Sequence, residues 1–168
     1  NIDNSKGADK ILAADYYINA KLLTDKNVIE AESKIIWRNN TSYKTNEIHL
    51  NLLLNAFKNS NTVLSEKIDV PYESKTFINI SSIKIDGVET ELVYYSPIIK
   101  NAYDSTVAKI ELQEEVLPND SVEINIDYSF KIPKSFKNVG YAAGNEFYFI
   151  SEGYPKVGVF EVGEWKIY

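Results

Sequence analysis

Val122-Glu123-Ile124-Asn125-Ile126-Asp127-Tyr128-Ser129-Phe130-Lys131-Ile132 decides the fold class. Apolar and polar side chains alternate along it without an error. Successive side chains on a β-strand point to opposite faces, so this stretch is a half-buried strand with one dry face and one wet face. Pro133 ends it, because proline cannot donate to a sheet ladder. A single wet face is the signature of an antiparallel sheet rather than a parallel one covered on both sides.

The same period continues on either side of this strand. Upstream, Leu117-Pro118-Asn119-Asp120 is a turn, and Thr106–Leu112 reads as the strand before it. Nearer the start, Tyr16, Ile18, Ala20 and Leu22 share one face. Ile29, Ala31, Ser33, Ile35 and Trp37 share another, across the polar link Thr24-Asp25-Lys26-Asn27. The pair predicts a β-hairpin. Ile48, Leu50, Leu52 and Leu54 alternate with His49 and Asn51 in a third strand. Residues 55–74 read as a long loop with one short strand. Phe77–Ile85 and Val88–Tyr95 form a hairpin about Asp86-Gly87, with Ser96–Ser105 as a connector. Downstream, Gly140 and Gly144 punctuate a loop. Then comes an aromatic run, Glu146–Ile150, a corner at Gly153-Tyr154-Pro155, and a Gly163-Glu164-Trp165 turn. No stretch of ten or more residues has helical periodicity. About ten short strands with regular turns predict an all-β, antiparallel two-sheet sandwich. Residues 1–13 are expected to be a weakly ordered lead-in, and residues 14–168 a single β domain.

Bulk properties narrow the function classes. The chain has 168 residues, enough for one domain with its own core. Its net charge of -6, with scattered basic residues, argues against nucleic acid or an anionic membrane surface as the main partner. It has no cysteine, which removes thiol chemistry, disulfides and thiolate-bound zinc. No apolar run approaches the ~20 residues of a membrane span. The chain has no methionine, so Asn1 is not a translation start and a processed or excised form is expected. These features are compatible with an exported or surface-associated bacterial protein and leave the compartment open.

Candidate chemistry is sparse. His49 is the one histidine, on the polar side of its strand with no nucleophile or orienting partner nearby, so a surface or sheet-face role is expected. The acid pairs Glu30/Glu32, Glu89/Glu91, Glu114/Glu115 and Glu161/Glu164 fall on polar faces and read as solvated surface. Asp104-Ser105 and Asn119-Asp120 lack calcium-loop spacing. Asn39, Asn40, Asn79 and Asn119 each head an Asn-x-Ser/Thr triplet. Twelve tyrosines suit either packing or a sugar-binding platform. No nucleotide-binding, serine-hydrolase or His-Glu-x-x-His motif is present.

The order of motifs resembles the start of a zinc aminopeptidase of the membrane alanyl aminopeptidase family (gluzincins), bacterial branch. Tyr16-Tyr17-Ile18-Asn19-Ala20 is similar to that family's first strand, and Ala31–Ser42 to its second strand and Asn-Thr loop. Glu47-Ile48-His49-Leu50 is similar to its Leu-His-Leu strand. Leu117–Ser121 stands where the family has Leu-x-Pro-Gly. Ser151–Glu161 with Gly163-Glu164-Trp165 resembles the segment Trp-Tyr-Pro-Lys-x-x-Val-Tyr-Asp … Gly-Trp. The resemblance implies an N-terminal β domain, saddle-shaped and built of two sheets, that continues past Tyr168. It places the zinc ligands and general base in a following thermolysin-like domain, so no catalytic residue, metal ligand or cofactor is expected within this chain. It also implies that one Gln or Glu of this domain binds the free amino group of the peptide substrate. Glu152 is the candidate, although the local motif here has Gly153 where the family often has an aromatic. A carboxylate holding an ammonium makes a charge-assisted hydrogen bond and fixes the scissile bond one residue away. Two other readings stay open: a β-sandwich binding module for surface glycans or protein partners, and a scaffold that keeps the fold without catalysis.

Overall fold

A computed structural model describes residues 13–96, 101–134, 139–142, 144 and 146–167. The lead-in expected over residues 1–13 lies outside the described residues except for Ala13. The rest is an antiparallel all-β fold, as the period-two pattern predicts.

The strands among the described residues are β1 (Ala14–Leu23), β2 (Val28–Arg38), β3 (Thr45–Asn51), β4 (Asn79–Ile85), β5 (Val88–Glu89), β6 (Val93–Tyr95), β7 (Val107–Val116), β8 (Ser121–Lys131), β9 (Val139–Ala142), β10 (Phe147–Ile150), β11 (Lys156–Val157), β12 (Val159–Glu161) and β13 (Glu164–Lys166). One sheet has the order β1-β2-β8-β4-β5 and a second has the order β11-β3-β7-β6. Two small ribbons, β9–β10 and β12–β13, complete the described fold.

The alternating strand quoted above, β8, lies at the centre of the first sheet. Its inward set Val122, Ile124, Ile126, Tyr128 and Phe130 is buried, and meets Ile29, Ala31, Ile35 and Trp37 of β2. Ile48 and Leu50 of β3 and Ala108 and Ile110 of β7 close the core from the second sheet. Each fully buried aliphatic side chain contributes about 1.5–3 kcal/mol relative to exposure, so this inter-sheet layer drives the assembly.

Local chemistry sets the turns. Asp86 and Gly87 both have positive φ, 48° and 84°, the form that two-residue hairpin loops need. Asn39 is fully buried and holds the loop after β2: its side-chain nitrogen donates to Tyr43 O and Val116 O, and its Oδ1 accepts from Thr41. That occupied nitrogen removes Asn39 from the glycosylation triplets.

Three expectations change. The third strand runs over 45–51, and Leu53–Phe57 is a 3-10 helix. Residues 55–74 carry 3-10 helix and turns, with no strand among them. The return strand expected over 88–95 splits in two. Val88–Glu89 pairs with β4, while Val93–Tyr95 leaves for the second sheet and pairs with β7. Alternation fixes which face a side chain takes, but not which sheet a short strand joins.

Candidate functional site

Glu152 lies in the segment between β10 and β11, and the residues after it clasp the two sheets together. On one side, β11 pairs with β3 through Lys156↔Asn51 and Val157↔Leu50. On the other, Val157 N donates to the Tyr16 hydroxyl of β1 at 3.0 Å, and the rings of Tyr16 and Tyr154 meet edge to face at 5.8 Å. Burial pushes the Tyr16 phenol above its ordinary value, so the hydroxyl stays protonated and serves as a fixed acceptor. Gly153 is required here. A Cβ would come within 2.6 Å of the Phe130 ring and 2.8 Å of Ile150 Cγ2. The space that a bulkier residue before Tyr154 would use is filled by Phe130.

The Glu152 carboxylate is a third exposed and accepts a hydrogen bond from Lys156 Nζ at 2.5 Å. That ammonium also stands 5.1 Å from the centre of the Tyr154 ring. The bond to Glu152 raises the Lys156 pKa, the largest of several causes, so the lysine remains charged. Glu152 also lines a recess of about 260 Å³ whose other walls are Leu53, Leu54, Ala56, Phe57, Leu64 and Val139. The site is thus one carboxylate, one ammonium and one aromatic face beside an apolar hollow.

A second polar cluster surrounds His49, and the sequence did not reveal it. Only 7% of His49 is exposed, so it is no surface histidine. The hairpin β12–β13 folds over it, and Trp165 stacks on the imidazole at 5.3 Å and 16° while also packing against Trp37 and Phe160. Nδ1 lies 2.5 Å from the Tyr95 hydroxyl. Nε2 lies 2.9 Å from Glu47 Oε1, off the line of a hydrogen bond. Burial and then the Glu47 charge push the Tyr95 pKa up to about 12, so the phenol keeps its proton. With the ring proton on Nε2, beside the carboxylate, the phenol donates and Nδ1 accepts. Burial lowers the His49 pKa, partly offset by Glu47. Nδ1 is hydrogen-bonded to Tyr95, and Trp165 covers one face of the ring. The group is a neutral cross-link between β3, β6 and β13, and with Glu47, Tyr95 and Trp165 it lines a recess of about 480 Å³.

The remaining candidates separate. Glu161 and Glu164 are exposed cross-strand partners beside the β12–β13 turn, not a cleft. Asp104 is buried and spends its oxygens on Thr106 and Val63 N. On the outer face of the first sheet, Glu32 of β2 stands opposite Asp127 of β8. Beside them Tyr17 is 62% exposed, over a shallow recess of about 490 Å³ that Asn19, Lys34 and Asn125 also line.

No protein-family model matches the chain. No curated protein matches it either. Among solved structures, the chain is similar to the CBM3a-L domain with flanking linkers from scaffoldin cipA of the cellulosome of Clostridium thermocellum. The TM-score is 0.36 at 12% identity, over 91% of this chain and 88% of that one.

Proposed function

We propose that this chain is a β-sandwich binding module that holds an ammonium group, delivered by the amino terminus of a peptide, on Glu152. In this reading it shapes a substrate cleft completed by a downstream thermolysin-like zinc domain, as the resemblance to zinc aminopeptidases implies. The observation that carries the reading is the Glu152–Lys156 pair beneath Tyr154. Lys156 Nζ is itself a primary ammonium, and a peptide α-ammonium presents the same charge and the same three donors. A carboxylate that receives one such group at hydrogen-bond distance can receive another in its place. The apolar recess beside it suits an uncharged first side chain. An incoming amino terminus must displace Lys156, so the module alone binds weakly and gains affinity when a neighbour holds the rest of the peptide.

The zinc and its ligands belong to that neighbour. The test is to express the chain with the coding sequence that follows Tyr168. Expected are a His-Glu-x-x-His motif, zinc-dependent aminopeptidase activity, and at least a tenfold fall in kcat/KM for Glu152→Ala. A continuation without that motif and without activity overturns the enzyme-domain reading.

A second reading is favoured by the outer face of the first sheet. Tyr17 there offers an exposed ring beside Asn19, Glu32, Asn125 and Asp127. An aromatic face flanked by amides and carboxylates is how a protein surface holds a glycan ring and its hydroxyls. Saturable oligosaccharide binding lost on Tyr17→Ala supports it.

A further inference from the structure

We infer that the free edge of β1 is a self-association surface, on which a second copy of this chain adds its own β1 antiparallel and extends the first sheet across a two-fold axis. β1 pairs with β2 over ten residues without a bulge, and among the described residues nothing pairs with its other edge. Long, flat edges are what natural sheets avoid with prolines, bulges and inward charges. β1 has none of these, since its register against β2 is unbroken and it contains no proline.

The parity of the ladder fixes which groups face outward. Arg38 N donates to Ala13 O at 2.8 Å, so Ala13 and Arg38 form a hydrogen-bonded pair. Those pairs recur at every second residue. Asp15, Tyr17, Asn19, Lys21 and Leu23 therefore spend their backbone groups on β2. Ala14, Tyr16, Ile18, Ala20 and Leu22 direct theirs to the free edge. The same even-numbered residues share the core-side face of the sheet. Their partners on β2 are buried, yet Ile18 is 41% and Leu22 37% exposed, because the apolar face runs past the cover of the second sheet.

A second copy meets both demands in one register, with Ile18 opposite its own symmetry mate. The outward backbone groups then pair as Ile18 with Ile18, Tyr16 with Ala20 and Ala14 with Leu22, and apolar side chains cover apolar side chains. On the other face, Asp15 of each copy stands opposite Lys21 of the other, twice by symmetry. These fall in the closer, non-hydrogen-bonded pairs, where opposite charges stabilise. Moving the axis to Ala20 puts Asp15 against Asp25, and moving it to Tyr16 shortens the overlap and leaves Lys21 unmatched. Asp15 already holds Arg38 at 2.7 Å, whereas Lys21 has no ion pair among the described residues. The Lys21 ammonium would complete an Arg38–Asp15–Lys21 line. The chain's own edge thus fits its copy in charge, in hydrogen bonding and in apolar cover. An interface of one strand per copy is small, so the association is weak.

The test is sedimentation of this chain over roughly 10 µM to 1 mM, the range where such small contacts are populated. A monomer–dimer equilibrium is expected, weakened at least tenfold in Lys21→Glu. Lys21 is exposed, so that variant keeps the fold, checked by circular dichroism. With no native cysteine, Ile18→Cys supplies a single thiol. Hydrogen-bonded Cα atoms about 5.5 Å apart suit a disulfide, so mild oxidation crosslinks Ile18→Cys and leaves Leu22→Cys monomeric. A chain that stays monomeric throughout, or a dimer indifferent to Lys21→Glu and not trapped at residue 18, overturns the inference.

Discussion

At the scale of single residues, environment separates two groups that look alike in sequence. His49 and Glu152 are both polar positions on or beside strands. His49 is covered by Trp165 and bonded to Tyr95, while Glu152 stays at the surface and holds an ammonium. Alternation revealed that His49 lies on the face opposite Ile48 and Leu50. It did not reveal that a hairpin more than a hundred residues later covers that face. The Glu152 position was legible because Gly153-Tyr154-Pro155 marks a corner, but its pairing with Lys156 depends on how the chain turns there. The buried imidazole makes a pH prediction. Burial holds its folded-state pKa below the ordinary ~6.5. As pH falls, the unfolded chain therefore takes up the proton first. Stability associated with neutral His49 is present above about 6.5 and is lost as pH falls from there through the folded value. NMR titration of this one imidazole should give a midpoint below 6.5, with the urea midpoint declining between pH 7 and 5 more steeply than in His49→Gln. A midpoint at or above 6.5 contradicts the buried environment.

Elements follow the period of the sequence where they are long and depart from it where they are short. β2 and β8 are where the alternation puts them, because eleven alternating residues cannot shift register without exposing the whole apolar set. β5 and β6, of two and three residues, carry too little pattern to specify a sheet, and they part company after Thr90. The β12–β13 hairpin shows a local conflict that its packing overrides. Its two-residue turn puts Val162 at φ 51°, a conformation that suits Asn or Gly and strains a β-branched residue. Val162 is 74% exposed, so its side chain gains little from packing. Trp165 and Phe160 hold the hairpin against Trp37 regardless of the turn. Val162→Asn should then stabilise the protein by about 1 kcal/mol, the size of a left-handed penalty removed. Chemical denaturation measures it, and an unchanged or lowered midpoint would show that the turn is not strained.

Across the whole molecule, the Glu152–Val157 segment matters because it joins both sheets: Tyr16 of β1 bonds Val157, and β11 pairs with β3. Glu152 stands at the start of that clasp with its carboxylate a third exposed. The all-β class was legible from the strand pattern alone. A downstream partner is implied by motif order alone, and the strand pattern carries no sign of it. The outer face with Tyr17 is the rival site, and it lies on the side of the first sheet opposite the core. The two sites respond separately, so one experiment distinguishes them. The most direct measurement is an NMR titration of the chain with an amino-acid amide bearing an apolar side chain, its N-acetylated form, and an oligosaccharide, repeated on Glu152→Ala and Lys156→Ala. The account predicts saturable shifts centred on Glu152, Tyr154 and Lys156 for the free amine only, abolished by Glu152→Ala and several-fold tighter in Lys156→Ala. Equal binding of the acetylated form, or shifts confined to the Tyr17 face with the sugar, would contradict it.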